Sequence, residues 1–335
     1  MSRIAVVGIG RIGKLLLREL ADEGLLDQVV LVSDAVGDCA QHAHLLTFDT
    51  VHGRFAGQVS AGEDTLSING HEMVFHSTDR IESLPLAEHA IDLVIDCTGA
   101  YRTNAALEPY FNAGVKRVVV SAPVKEADAV NIVYGINHER YDPSVHRVVT
   151  AASCTTNCLA PLVKVMHEGL GICHASMTTL HNVTNTQTMV DRPAKDLRRA
   201  RSALNSLIPT STGSATAITL IYPELKGRID GHAVRVPLLN ASLTDVVFEV
   251  DRATTVEEVN ALFDAAAVGS LEGILGVEHR PLVSADYINE PRSAVLDALS
   301  TLVTNGTQVK LYAWYDNEWG YTRRLGDIAR LVAAT

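Results

Sequence analysis

Over the first 150 residues, short apolar runs rich in Val and Ile alternate with stretches whose apolar positions recur at helical spacing. "RIAVVGIGRIGKLLLREL" sets the pattern: a β-branched run, three glycines, then Ile12, Leu15, Leu16 and Leu20 on one helical face. The runs "VVLVSD", "AIDLVIDCTG" and "VKRVVVSAP" each end in small or acidic residues. Continuous β-branched strands separated by helices predict a parallel, doubly wound sheet of the Rossmann type, covered on both faces. After about residue 170 the pattern changes. "ASMTTLHNV", "HAVRVPLLNASLTDVVFEV" and "GTQVKLYAWYD" are longer and more alternating, predicting an α+β unit with a mixed or antiparallel sheet. "TTVEEVNALFDAAA" reads as a helix capped by Thr254 or Thr255, and "RRLGDIARLVAA" as a closing amphipathic helix.

At 335 residues the chain exceeds one typical hydrophobic core, so two domains are expected. A formal charge of −11 argues against nucleic acid or anionic lipid as a partner. No apolar stretch approaches the roughly 18 residues of a membrane span. "MSRIAVVGIG" runs directly into a strand pattern with no cleavage site, which reads against a secretory leader. Five scattered cysteines form no paired framework and suit a reducing, cytoplasmic setting.

The glycines Gly8, Gly10 and Gly13 form G-x-G-x-x-G after a strand and at the start of a helix, and Asp34 ends the next strand. That context is the dinucleotide fingerprint. Gly8 allows the turn, Gly10 the approach of a pyrophosphate, and Gly13 close helix–strand contact, while Arg11 and Ile12 supply helix N-terminal amides. Asp34 would accept the adenosine ribose hydroxyls and repel a 2′-phosphate, favouring NAD over NADP.

"AASCTTNCLAP" places Cys154 in the first turn of a predicted helix. Helix amides and a neighbouring imidazole lower a thiol pKa, and the resulting thiolate attacks carbonyls. Cys158 lies one turn deeper and reads as packing. From spacing alone Cys154 is either a nucleophile or core filling. Likewise "KDLRRAR" is either an anion site or a solvated basic face.

Several motifs together decide between these readings. "GIGRIGK", "AHLLTFDTVHGRF", "DCTGAY", "ASCTTNCLAP", "MTTLH", "KDLRRAR", "IPTSTGSA", "PELKGRIDG" and "WYDNEWGY" give the chain a near full-length resemblance to phosphorylating glyceraldehyde-3-phosphate dehydrogenases. "NASLTD", "VKRVVVSAPVK" and "TNTQT" also resemble a branch associated with arsenate resistance. The resemblance implies an NAD-binding domain over 1–152, completed by a C-terminal helix within 317–335, and a catalytic domain over 153–316. It implies Cys154 as nucleophile, His181 as base, and Asn317 and Tyr321 beside the nicotinamide, with Arg80, Thr98 and Ser121 also contacting the cofactor. Thr184, Thr186 and Arg235 match the site for the phosphate of the substrate, glyceraldehyde 3-phosphate. Ser153, Thr155, Arg199, Thr212 and Gly213 match the site for the attacking phosphate or arsenate. A cytoplasmic homotetramer is implied as well.

Some positions depart from the family pattern. Val7 stands where an asparagine is usual, and Arg192 replaces a leucine in a loop that reaches a neighbour's cofactor, which opens NADP as an alternative. Erythrose-4-phosphate dehydrogenase is a sister activity, but the "TG" of "PTSTGSA" favours an oxyanion acceptor over water. A non-catalytic NAD- or RNA-binding homologue is the alternative of another class; the Cys154–His181 pair and the negative charge weigh against it. His42, His44 and His52 invite a metal reading, yet His42 and His44 would point to different sides of a helix, so no metal is expected.

Overall fold

The computed structural model describes every residue except Ala127 and divides the chain into two compact units, Met1–Ser153 with Thr322–Thr335, and Cys154–Tyr321. The first unit opens with β1 (Ile4–Val7), helix α1 (Arg11–Asp22), β2 (Val29–Asp34) and helix α2 (Cys39–Thr47). A small hairpin of β3 (Phe48–Asp49) and β4 (Gly53–Arg54) follows, then β5 (Val59–Ala61), β6 (Thr65–Ile68), β7 (His71–Ser77) and β8 (Leu93–Asp96). Helix α3 (Asn104–Asn112), β9 (Arg117–Val120), β10 (Ala129–Asn131) and β11 (Val148–Thr150) complete this stretch.

Nine of these strands form one sheet in the order β10-β11-β9-β8-β1-β2-β7-β6-β5. The run from β10 to β7 is parallel, and the β5–β6–β7 edge is antiparallel. The chain order reverses beside β1, and such switch points are where α/β sheets bind ligands, beyond the carboxyl ends of the strands. Val6, Val32, Val94 and Ile95 are fully buried, as the apolar runs require.

The second unit begins with α4 (Cys154–Leu170) and β12 (Ile172–His181). It continues through β13 (Ile208–Ser211), α5 (Ser214–Ile221), β14 (Ile229–Arg235), β15 (Ser242–Val250), α6 (Val256–Ala267), β16 (Leu275–Glu278), β17 (Ala294–Asp297), β18 (Leu302–Thr304) and β19 (Gln308–Tyr315). Its sheet runs β13-β14-β12-β15-β19-β17-β16, with β18 also on β19. The core β12–β15–β19 is antiparallel, and alternate residues of β15 and β19 are buried. Thr255 caps α6, its hydroxyl accepting the Glu258 amide. Helix α4 runs through Pro161, which cannot donate to the carbonyl four residues earlier.

Helix α7 (Trp319–Ala333) carries the chain back into the first unit, where its charges meet α1. Glu19 is fully buried and takes Arg330 at 2.7 Å, with Arg323 at 3.7 Å. Gly326 leaves the necessary room, since a Cβ there would sit 2.2 Å from the carboxylate. Burial raises the Glu19 carboxyl and the two arginines oppose it. Removing one partner of a buried pair strands the other charges, at about 3 kcal/mol or more. Glu19→Ala should therefore lower the unfolding midpoint in urea by an amount equivalent to about 3 kcal/mol; an unchanged midpoint would show that α7 docks without this pair.

Candidate active site

In the first unit the fingerprint glycines are shaped by contact. Gly8 adopts φ +85°, and a Cβ on it would lie 2.5 Å from the Thr98 amide nitrogen. A Cβ on Gly13 would lie 2.3 Å from the Gly8 carbonyl oxygen, whereas nothing approaches within 4 Å at Gly10. Gly10 caps α1 with no side-chain hydrogen bond, and the first turn, with Arg11 and Ile12, contains no acid. An open glycine at an acid-free helix N-terminus is what a pyrophosphate fits. Asp34 ends β2, where its carboxylate accepts the Val36 amide at 3.1 Å. Thr98 donates its amide (3.0 Å) and hydroxyl (2.7 Å) to the fully buried Asp96, which also accepts Tyr110 Oη at 2.8 Å. Ser121 follows β9 and donates its amide to the Asp96 carbonyl, while Arg80 is exposed beyond β7. These residues line the carboxyl ends of β1, β2, β7, β8 and β9. Ser153 is the last residue of this unit before α4.

In the second unit the thiol and the imidazole come together. Cys154 starts α4 and His181 ends β12, and Sγ lies 3.5 Å from Nε2. Ala152, two residues before the thiol, holds the left-handed φ of +52°, a strained conformation for a residue with a Cβ and one that recurs at functional sites. The parallel pairing of β12 with β14 places Arg235 directly beside His181. The His181 Nδ1 lies 2.8 Å from the Asn182 carbonyl, which favours a proton on Nδ1, and 2.5 Å from Arg235 Nη1, a donor that opposes it; with the proton on Nδ1, Nε2 is an acceptor toward sulfur. The Arg235 Nη1 also donates to that carbonyl, at 3.1 Å.

Burial raises the Cys154 thiol, opposed by Arg235, the Thr155 hydroxyl and the first-turn amides. Burial and the Arg235 cation push His181 down to about 3. The expected lowering of the thiol by its helix and imidazole is thus countered by desolvation. Moving the proton from Sγ to Nε2 creates opposite charges 3.5 Å apart. Their attraction is about 5 kcal/mol at an effective dielectric of about 20, enough to offset much of the burial penalty. The two groups titrate as a pair.

Two further residues support this pair without having been legible in the motifs. Tyr315 on β19 is buried, and its hydroxyl contacts Thr155 Oγ1 at 3.0 Å and Thr179 Oγ1 at 2.8 Å. The Thr155 hydroxyl, expected at an oxyanion, is thus shared between Tyr315 and the Cys154 thiol. Gln187 accepts the Thr184 amide (3.0 Å) and the hydroxyls of Thr184 (3.1 Å) and Thr186 (3.2 Å). Arg199 donates to Thr186 at 3.1 Å and also to Thr210, so both expected anion sites share one hydrogen-bonded cluster. Arg235 Nε and Gln187 Nε2 are buried donors with no acceptor among the described residues. Buried donors lacking an acceptor are costly, and an anion with several oxygens satisfies them.

Thr212 and Gly213 precede α5, the Thr212 hydroxyl meeting Ser214 Oγ at 3.1 Å and Gly213 serving as cap without a side-chain bond. Asn317 is buried, its Oδ1 accepting Ser242 Oγ at 3.4 Å, and Tyr321 is buried two residues into α7. Cys158 is fully buried against Thr244, and burial pushes its thiol up to about 12. Among the described residues, no group of three His, Cys, Asp or Glu is placed to hold a metal ion.

Residues 2–104 match the profile of the glyceraldehyde 3-phosphate dehydrogenase NAD binding domain, and residues 153–317 match that of the C-terminal domain of the same family. The chain is 56% identical over 332 residues to glyceraldehyde-3-phosphate dehydrogenase 3 of Nostoc sp., covering 99% of this chain and 98% of that one. It is 46% identical to glyceraldehyde-3-phosphate dehydrogenase 1 of Bacillus cereus (100% and 99% covered) and 45% identical to the Geobacillus stearothermophilus enzyme (99% and 98% covered).

With an imidazole nitrogen 3.5 Å from its sulfur, Cys154 should be the thiol that alkylates fastest. His181→Asn should slow its iodoacetamide labelling near neutral pH by about tenfold or more, followed by mass spectrometry of the Cys154 peptide; equal rates would separate the imidazole from the thiol.

Proposed function

The chain belongs to the glyceraldehyde 3-phosphate dehydrogenase family, and from that membership we propose how its residues carry out the NAD-dependent oxidation of glyceraldehyde 3-phosphate. The observation that carries the reading is the Cys154–His181 contact, set beside Arg235. His181 Nε2 takes the thiol proton as Cys154 Sγ bonds to the aldehyde carbon and hands it to the former carbonyl oxygen, giving a thiohemiacetal and a neutral imidazole. His181 then accepts the hydroxyl proton as that adduct is oxidised to a Cys154 thioester. NAD, when bound, supplies the hydride-accepting chemistry for this oxidation. An oxyanion next attacks the thioester carbonyl, the carbon–sulfur bond breaks, and the thiolate is restored.

Arg235, Thr184 and Thr186 hold the substrate's phosphate in this reading. His181 is lowered first by burial and then by the Arg235 cation, and an anion drawn to Arg235 offsets the second of these. Arg199, Ser153, Thr212 and Gly213 take the attacking oxyanion, with Thr155 contributing its backbone amide because its hydroxyl is engaged by Tyr315. Phosphate as acceptor gives 1,3-bisphosphoglycerate. Arsenate, of the same shape and similar charge, would give 1-arseno-3-phosphoglycerate, and the resemblance to the arsenate-associated branch supports that extension.

In the first unit Gly8, Gly10, Arg11, Ile12, Gly13, Asp34, Arg80, Thr98 and Ser121 are assigned to the cofactor, and in the second unit Asn317 and Tyr321 match the family's nicotinamide contacts. The open cap at Gly10 and the acid at the end of β2 support NAD. Met189, Val190, Leu197, Leu204 and Leu207 are strongly exposed on one segment of the second unit, which supports burial against further copies in a homotetramer. No helix among the described residues is long and apolar enough to cross a membrane, and with five free cysteines a cytoplasmic site is part of the proposal.

Cys154→Ser should reduce acyl phosphate formation by about a thousandfold or more, with binding of NAD retained. Wild-type turnover should require phosphate or arsenate. Turnover independent of either, with erythrose 4-phosphate preferred, would assign the sister activity instead. Arg235→Leu should raise KM for glyceraldehyde 3-phosphate and lower kcat by about tenfold or more each, through lost charge-assisted bonds; a variant kinetically equal to wild type would remove Arg235 from the site.

A further inference from the structure

His42, on α2, is a buried titratable group that the proposed chemistry leaves unused. It is 5% exposed, and its Nε2 lies 2.9 Å from the Val36 carbonyl. Val36 belongs to the short loop from β2 to α2, and its own amide donates to Asp34. The far end of the loop is closed by a capping box, Gln41 N to Asp38 at 2.8 Å and Asp38 N to Gln41 Oε1 at 3.0 Å. Between them Gly37 has φ +96°, and a Cβ there would sit 3.0 Å from His42 Nε2. The imidazole lies against Phe75 on β7, the strand next to β2.

One ring nitrogen is spent on this loop and the other has no use. The His42 Nδ1 is buried with no hydrogen-bond partner among the described residues. Burial and the nearby Lys14 lower its pKa, with Asp34 and Asp38 opposing, so the ring is neutral. The Val36 carbonyl then requires the single proton on Nε2. An aliphatic side chain would fill the same space without a stranded nitrogen. What the histidine contributes is the bond to Val36.

We propose that His42 is a positioning residue for cofactor binding: it clamps the loop at Val36 and so fixes the Asp34 carboxylate where the adenosine ribose is bound. This rests on the reading of Asp34 given above. With Val36 held by its amide to Asp34 and by its carbonyl to His42, the acid cannot swing aside for a 2′-phosphate. The clamp therefore also sets discrimination between NAD and NADP.

The test compares His42→Leu, His42→Gln and Asp34→Ala in the full chain, by calorimetric Kd for NAD and NADP and by steady-state kinetics. His42→Leu should weaken NAD about three- to tenfold, narrow the NAD/NADP ratio, and leave kcat at saturating NAD within about twofold. His42→Gln, whose amide can donate to Val36, should recover most of that loss. Hydrogen exchange at residues 36–38 of the cofactor-free protein should quicken in His42→Leu and not in His42→Gln. Unchanged NAD affinity in a folded His42→Leu, or a glutamine that behaves like leucine, overturns the proposal while an Asp34→Ala loss leaves the reading of Asp34 standing. Unchanged affinity in Asp34→Ala would overturn both.

Discussion

The second unit's chemistry depends on one register. Parallel pairing of β12 with β14 sets His181 opposite Arg235, and antiparallel pairing of β12 with β15 sets Leu180 opposite Leu243. A slip of one residue would turn every side chain of β12 to the other face. Buried and exposed positions alternate along most of this strand, so such a slip would bury His174, Ser176 and Thr178 and expose Met177 and Thr179. The apolar face of the sheet thus enforces the distance between sulfur and imidazole. Packing, rather than any bond between the two, decides that they meet.

Around that pair the polar groups are committed in a graded way. Tyr315, Thr155 and Thr179 satisfy one another inside the core, which holds the first turn of α4 to the sheet. Removing such a group leaves buried hydroxyls unpaired, at about 1–3 kcal/mol. Nearer the surface, Thr184, Thr186, Gln187, Arg199 and Arg235 present donors in excess of acceptors. The first set is structural and closed. The second is open to an anion.

Much of this was legible in the sequence, for physical reasons that differ by region. The strands of the first unit declare themselves because both faces are buried, so their apolar runs are unbroken, and the fingerprint is legible because only glycine tolerates the contacts at Gly8 and Gly13. Cys154 was visible as a first-turn residue, and α4 does begin there. Its protonation was not, because a helix terminus and a burial penalty act in opposite directions and the depth of burial is set by the tertiary fold. Tyr315 and Gln187 escaped notice because each acts through neighbours distant in sequence or through an unremarkable amide. A pattern-based signal for Tyr315 is faint: it is one more alternating position in "LYAWYD".

The two units solve opposite electrostatic problems with the same economy of means. In the first, Glu19 and Asp96 are buried acids held by donors brought from elsewhere, Arg330 in one case and Thr98 with Tyr110 in the other. Each anchors a segment, α7 against α1 in one case and the loop after β8 in the other. In the second, a half-buried cation, Arg235, stands beside the buried histidine proposed to accept a proton. A fixed acid at that place would make His181 a stronger base permanently, and would also repel an anionic substrate. A cation there attracts anions instead, and it adds to the burial that lowers the base. In the proposed reaction, an anion paired with Arg235 would relieve the second of these two contributions and leave the first in place.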